Sequence, residues 1–221
     1  MKHIRPYLLF SLLDSAPAER IASVKIPYRC DLKLLETFLL VAAMRLVNAE
    51  RIFEFGTFFG STTLNLALNS PPHAEIFTLD LTPEDAGSLE QDPTDAPLTK
   101  MHFEQSAMEF HEATVSHKIK ELRGNSKTFD FRPWKDSIDL VFIDGGHDYA
   151  TVKSDTNNAI DMLRKDRPAC IFWHDYRNPE CSGNTFFLDE LSKSHDLFHV
   201  EDSMLCGWFN PVCQVKPGDK N

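Results

Sequence analysis

The chain has 221 residues, with 23 Lys and Arg against 33 Asp and Glu and a formal net charge of −10. That length suits one α/β domain around a single core, with room for an appended lid. The acidic balance and the lack of a basic stripe argue against a nucleic-acid backbone as partner, since phosphate contacts need clustered Lys and Arg, and equally against an anionic membrane surface.

The N-terminal stretch MKHIRPYLLFSLLDSAPA combines basic residues, a short apolar run and small residues, a faint signal-peptide outline. Its apolar run breaks at Ser11 and ends at Asp14, so residues 1–30 read as a helix or arm packed on the domain, with a dimer contact as one use for it. No segment approaches the roughly 20 apolar residues of a membrane span. Asp31–Val47 has helical apolar spacing, with Asp31 as a plausible N-cap. Strand-like runs then alternate with helical ones. The strands are expected at Arg51–Gly56, Glu75–Asp80, Ile119–Arg123, Ile138–Asp144, Ala169–His174, Phe198–Asp202 and Leu205–Phe209. The helices are expected at Ser61–Ala67, Ala107–Ser116, Tyr149–Arg164 and Thr185–Ser194. This alternation implies a mostly parallel sheet covered on both faces, with right-handed crossovers. The last two strands are close enough to form a hairpin, which puts an antiparallel edge on the sheet. Leu81–Lys100 is acidic, rich in Pro, Asp and Thr, and aperiodic. It is either a solvated loop or part of a lid, and the candidate lid insertion spans 81–117. The domain proper is 31–213, and 214–221 reads as a frayed tail. Cys30, Cys170, Cys181, Cys206 and Cys213 form no CxxC pair. Such usage fits a reduced, cytoplasmic setting, and Cys170 reads as a small core residue.

In an open parallel sheet, ligands bind beyond the carboxyl ends of the strands. The strands here end at Glu54 before Gly56, Asp80, Asn125, Asp144 and His174-Asp175. A buried carboxylate without partners costs several kcal/mol, so polar residues repeated along one rim point to a wet cavity. Gly56 and Gly60 bracket a turn that opens a helix, and Thr57-Phe58-Phe59 fills the space between them. That is not GxGxxG, which disfavours NAD and a nicotinamide-dependent oxidoreductase. A ligand with a carboxylate, an amine and a nucleoside but no phosphate fits better. Glu54 is available to hold a cationic amine directly or through the loop, and Asp80 to accept both ribose hydroxyls.

The motifs EFGTFFGST, FTLD, GNS, DLVFIDGGHDY and IFWHDY together resemble class I S-adenosylmethionine-dependent methyltransferases. More narrowly, they are similar to the subgroup of macrocin-type O-methyltransferases and cephalosporin-hydroxylase-like proteins. The resemblance covers about Leu34 to Phe209. It implies a doubly wound, Rossmann-like α/β sheet of seven strands, mostly parallel with the last antiparallel. It also implies that Glu54, Gly56, Thr57, Gly60 and Ser61 surround the methionine part of the donor. Asp80 then takes the ribose, Asn125 and Ser126 lie near the adenine, and Asp144 faces the reacting end. An ordinary turn is the competing reading of Gly124-Asn125-Ser126.

Methyl transfer from a sulfonium is an in-line displacement, and alignment can supply up to roughly 7–11 kcal/mol of the barrier in the best intramolecular cases. A small-molecule hydroxyl acceptor also needs a base or a metal. His147, aimed by Gly145 and Gly146, is narrowly favoured over His174 as base, beside Asp144. Asp144, His174 and Asp175 form a candidate site for Mg²⁺ or another divalent metal, although imidazole suits softer ions. Alternatively Asp144 and Asp175 hydrogen-bond loop backbone and the donor's amine, and His147 caps the helix from Tyr149. Tyr149 and Tyr176 either line the acceptor pocket or pack. Asp155 reads as a solvated or capping group, and His73, His111, His195 and His199 as surface or helix-end residues. A second functional reading keeps the fold and drops the reaction: a degenerate relative that binds a nucleoside as sensor or partner subunit.

Overall fold

Short runs of β-branched and aromatic residues, RIFEF, EIFTLD, LVFI and CIFW, are long enough for a strand and too short for a helix, and each forms a strand. The computed structural model of the chain describes residues 1–13, 32–88, 93, 95–104 and 108–212. Asp31, Ala107, Cys30, Cys213, the rest of the N-terminal arm and the 214–221 tail lie outside the described residues. In chain order the elements are β1 (Lys2–Ile4), α1 (Pro6–Leu13), α2 (Leu34–Leu46), β2 (Arg51–Phe55), α3 (Ser61–Asn69), β3 (Glu75–Asp80), α4 (Pro83–Ser88) and α5 (Asp95–Glu104). They continue as β4 (Ile119–Arg123), β5 (Leu140–Ile143), α6 (Tyr149–Met162), β6 (Cys170–Trp173), α7 (Ser182–Leu191), β7 (Phe198–Val200) and β8 (Cys206–Phe209).

The strands form one sheet in the order β1-β7-β8-β6-β5-β2-β3-β4. All neighbours are parallel except β8, which is antiparallel to both β6 and β7. The expected α/β architecture is present, with two corrections. There are eight described strands rather than seven, because Lys2–Ile4 adds to the free edge of β7. The antiparallel strand is also not an edge. Hydrophobic β8 turns back into the sheet beside β6, and the short, more exposed β1 takes the outside, where polar residues suppress further pairing.

Strand alternation sorts the core. Ile52, Ile76, Leu140, Phe142, Cys170 and Phe172 face α1, α2 and α3. Phe53, Phe77, Val141, Ile143, Ile171 and Trp173 face α6 and α7. Both faces are therefore covered, and Cys170 is a fully buried core residue as expected. His199, expected at a surface or helix end, is instead buried on β7 against Tyr176. Asp148, not His147, caps α6 and accepts from the Ala150 and Thr151 backbone N–H groups at 3.0 Å.

The helix expected over 107–116 does not form among the described residues. Residues 109–115 make turns, followed by a short 3₁₀ helix at Ser116–Lys118. Met108 and Phe110 are drawn onto Leu64 in a small apolar cluster, and the Glu109 N–H donates to the Phe59 carbonyl at 3.0 Å. Tertiary packing overrides the local helical pattern there. In contrast, the aperiodic stretch after Leu81 contains two helices, α4 and α5.

Glu54 explains its own place in an apolar strand. It is 1% exposed and points to the α3 side, where Thr63 Oγ1 and Thr78 Oγ1 (2.6 Å) both donate to Oε2. Thr57 Oγ1 in turn lies 2.7 Å from Thr78 Oγ1. A single carboxyl thus ties β2, β3, α3 and the turn after β2 together. Burial pushes its pKa up to about 8, with Asp144 and Asp80 adding to the rise. Between about 4.5 and 8 the unfolded chain loses this proton while the folded chain keeps it, so folding stability falls as pH rises through that window. Glu54→Gln, an isostere of the neutral acid, should flatten the decline when denaturant unfolding is compared at pH 5 and pH 8. A slope equal to that of the wild type would show that Glu54 is ionised in the fold.

Candidate active site

Polar residues at the carboxyl ends of the strands open into a cavity of about 930 Å³, which is within the range of small-molecule sites. Asp80, Asn125, Asp144, His174 and Asp175 all line it, contributed by the ends of β3, β4, β5 and β6. Glu54 does not line it, so direct contact with a ligand amine is corrected. Its influence runs only through the turn it holds. Gly60 and Ser61 are likewise set off the cavity. Gly60 is the N-cap of α3 and faces Phe110, while Ser61 is buried with no hydrogen-bond partner on Oγ.

One half of the cavity is built around Asp80. Its Oδ2 accepts from the backbone N–H groups of Thr57 (3.0 Å) and Phe58 (2.9 Å), and Oδ1 accepts from Leu81 N–H at 2.8 Å. The carboxylate therefore shapes the turn after β2 as well as the cavity wall. Gly56 has φ +88°, and a Cβ there would stand 2.2 Å from the Asp144 carbonyl oxygen. The glycine thus allows the β2 turn to press, backbone to backbone, on the end of β5. Asn125 both lines the cavity and makes a turn, its Oδ1 accepting from Lys127 N–H at 2.9 Å. Ser126 lines the wall beside Asp155.

Asp155 overturns its expected solvated or capping role. It lies on the buried face of α6 with Thr151, Val152, Thr156 and Ala159, is 1% exposed, and lines the cavity. Among the described residues Oδ1 has no hydrogen-bond partner, and burial pushes the pKa up to about 7. The helical spacing of that buried face is the signal that could have identified it.

The other half is a chain of carboxylates and imidazoles. His174 Nδ1 lies 3.2 Å from Asp144 Oδ1 and 3.3 Å from Asp175 Oδ2, and Nε2 lies 3.3 Å from Glu36 Oε2. Burial opposes charge on this ring, but Asp144, Asp175 and Glu36 outweigh it and hold the pKa well above the usual histidine value. His147 Nε2 lies 2.9 Å from Asp175 Oδ2, and Nδ1 is bonded to Asp95. Burial again opposes its charge, and Asp175 and Asp95 again prevail and raise the pKa. Asp175 is correspondingly held below the usual carboxylate range, because the two imidazoles outweigh its burial. Cys181 joins His147 and Asp175 in a group whose ligand atoms all lie within 4.8 Å of one another. Asp144, His174 and Asp175 form a second such group.

His147 is therefore not the free base that its glycine-flanked loop suggested, since both ring nitrogens are engaged. Tyr149 and Tyr176 do not line the cavity. They pack, with their hydroxyls donating to Glu190 (2.7 Å) and Asp189 (2.8 Å). Asp95, Cys181 and Glu36 had no role in the sequence argument. Glu36 carried one usable signal, a charge on the buried face of an apolar helix.

The helix α5 covers this site. Asp95 at its start accepts from the His147 backbone N–H at 3.2 Å as well as bonding the ring. His102 donates from Nδ1 to the Phe58 carbonyl at 2.7 Å and accepts on Nε2 from Arg123 at 3.0 Å. The same segment thus touches both halves of the cavity.

A family model described as a methyltransferase domain matches residues 53–176. In fold, the chain is similar to the O-methyltransferase TomG from Streptomyces achromogenes, which is involved in tomaymycin synthesis and was solved in complex with SAM. The identity is 20%, the TM-score 0.55, and 80% of this chain and 81% of that one are covered. It is also similar to an O-methyltransferase from Bacillus cereus in complex with SAH, at 14% identity and TM-score 0.56, covering 91% and 90% of the two chains. A third similar structure is the SAH-bound methyltransferase PaMTH1 of Podospora anserina, at 15% identity and TM-score 0.56, covering 92% and 85%. At these identities the likeness concerns the fold. No curated protein matches the sequence. Among the described residues, no helix is long and apolar enough to cross a membrane.

If Asp95 holds α5 on the site, Asp95→Ala should expose the helix to protease. A loss of about 1.5 kcal/mol of docking corresponds to roughly tenfold faster trypsin cleavage after Lys100, with little change in the overall thermal midpoint. Unchanged cleavage would mean that His102 alone secures the segment.

Proposed function

The chain belongs to the methyltransferase-domain family, and we propose that it transfers the methyl group of S-adenosylmethionine to a hydroxyl oxygen of a small molecule. One observation carries this reading: a single cavity joins the Asp80-shaped turn to the Asp144 end of β5. Donor-bound complexes of the similar folds, TomG with SAM and the Bacillus cereus enzyme with SAH, support the choice of donor.

In this reading the ribose hydroxyls donate to Asp80. Its Oδ2 already accepts two backbone N–H groups, while Oδ1 accepts one and keeps acceptor capacity for them. Gly56 and Thr57 face the methionine part, and Asn125 and Ser126, backed by Asp155, face the adenine. The acceptor oxygen attacks the sulfonium methyl in line. The carbon–oxygen bond forms as the carbon–sulfur bond breaks, and the hydroxyl proton leaves. Asp144, with its side chain 22% exposed, is the carboxylate open to the acceptor and takes that proton. His174, held between Asp144 and Glu36, supplies positive charge beside it.

Mg²⁺ at Asp144, His174 and Asp175 does not fit the donor set. Magnesium demands oxygen ligands and keeps several waters. Here the His174 ring itself occupies the gap between the two carboxylates, within 3.3 Å of each. The proposed transfer accordingly relies on the side chains named above.

Calorimetry should detect binding of S-adenosylhomocysteine and none of NAD. Asp80→Ala should weaken that binding at least about tenfold, equivalent to ~1.4 kcal/mol. Unchanged affinity would place the ribose elsewhere. A methyl-release assay over phenols and sugars should show turnover that survives a magnesium chelator. Asp144→Asn should lower turnover far more than donor affinity. Donor binding without transfer to any hydroxyl would favour a nucleoside-binding protein over an enzyme.

A further inference from the structure

We propose that His147 Nε2, Asp175 Oδ2 and Cys181 Sγ form a binding site for a zinc-class divalent ion. This site is separate from the Asp144, His174 and Asp175 group and shares only Asp175 with it. The ligand site stands on its own geometry, and only its use toward an acceptor oxygen rests on the methyl-transfer reading.

The donor set is the first argument. Nitrogen, oxygen and sulfur together suit zinc and its neighbours, and neither magnesium nor calcium takes thiolate sulfur. Distance is the second. With metal–nitrogen and metal–oxygen bonds of about 2.0–2.1 Å, the edge of a coordination tetrahedron is roughly 3.3–3.4 Å. His147 Nε2 and Asp175 Oδ2 already stand 2.9 Å apart, and all three ligand atoms fall within 4.8 Å of one another. An ion entering between them needs only small side-chain adjustments.

Support behind the ligands is the third argument. A metal-bound histidine usually gives its other ring N–H to a carboxylate, which fixes the tautomer and the ring plane. Asp95 does this for His147, bonding Nδ1 while it also accepts from the His147 backbone N–H. Asn178 Nδ2 donates to Asp175 Oδ1 at 2.7 Å, leaving Oδ2 turned toward His147. The two loops that carry His147 and Cys181 are in contact at Gly183, where a Cβ would lie 2.4 Å from the His147 carbonyl oxygen. Any larger residue at that position would separate His147 from Cys181.

Burial is the fourth argument. The His147 and Asp175 side chains are 11% and 10% exposed, and Cys181 is 6% exposed. All three line the cavity, so the ion can reach them from it and a fourth position is left for water. On loading, the ion replaces the proton shared by His147 and Asp175 and the thiol proton of Cys181, and both protons pass to solvent.

Cobalt(II) tests the site without relying on turnover. The full chain, stripped with chelator and kept in a non-thiol reductant, is titrated with Co²⁺. The expected result is one ion per chain with a thiolate-to-cobalt charge-transfer band in the near ultraviolet, which Zn²⁺ abolishes by displacement. Cys181→Ser should remove the band. Asp95→Asn should weaken Co²⁺ binding about tenfold. Asp144→Asn should leave band and affinity as they are. Circular dichroism of each variant confirms that it is folded. The proposal is overturned if equilibrium dialysis finds no Co²⁺ or Zn²⁺ on the wild-type chain. It is equally overturned if the band persists in Cys181→Ser, or if Asp144→Asn abolishes binding. S-adenosylhomocysteine affinity, measured on the same samples, reports separately on the methyl-transfer reading.

Discussion

Asp175 is shared between two imidazoles, and the Asp144 half of the cavity is organised around that sharing. Its Oδ2 stands 2.9 Å from His147 and 3.3 Å from His174. Each ring is held on its other nitrogen by a further acid, Asp95 or Glu36. Four separate segments meet through these contacts: the β5–α6 loop, the end of β6, α2 and the helix α5. The backbone of Asp175 has φ 59°, a left-handed conformation that a non-glycine residue adopts at some cost. Buried charges of one sign would not survive here alone, because removing one partner from such a pair leaves an uncompensated ion. Alternating acid and imidazole makes the arrangement self-consistent and keeps it rigid enough to present Asp144 to a ligand.

The two rims of the sheet use their carboxylates differently. At the amino rim, Asp139 is fully buried and fully used. It accepts from the Glu50 and Arg51 backbone N–H groups at 2.9 Å, and Arg167 donates to both of its oxygens. Both Asp139 oxygens are therefore engaged within the fold. At the carboxyl rim, Asp80 keeps acceptor capacity, Asp155 has an oxygen with no partner, and Asp144 is partly exposed. Between the rims, Glu54 and its three threonines lock the turn after β2 to β3 and α3. Local rigidity below the cavity thus supports alignment within it, which is what transfer from an already activated donor requires of a protein.

Much of this was legible in the residues themselves. Strand runs such as EIFTLD and IKELR carry their own boundaries, and β3 and β4 begin and end where the pattern places them. The rule that ligands meet the carboxyl ends of parallel strands then places Asp80, Asn125, Asp144, His174 and Asp175 in one cavity. A short link between the last two strands was enough to predict their antiparallel pairing.

Other features depended on contacts distant in sequence. A period-2 run places Glu54 in the strand but does not show that Thr63 and Thr78 turn it away from the ligand. The 107–116 pattern has helical spacing, yet packing on Leu64 and Gly60 decides its conformation. Asp95 sits in an aperiodic acidic stretch and Cys181 stands alone, so neither carries a local signal, although both end beside His147. The sequence by itself determined the strands from β2 to β8, their direction and the acidic rim, because backbone propensity and half-burial repeat within a few residues. Only the tertiary structure decided which acids are neutral, paired or open, because protonation and pairing are set by neighbours that the chain brings together from dozens of residues away.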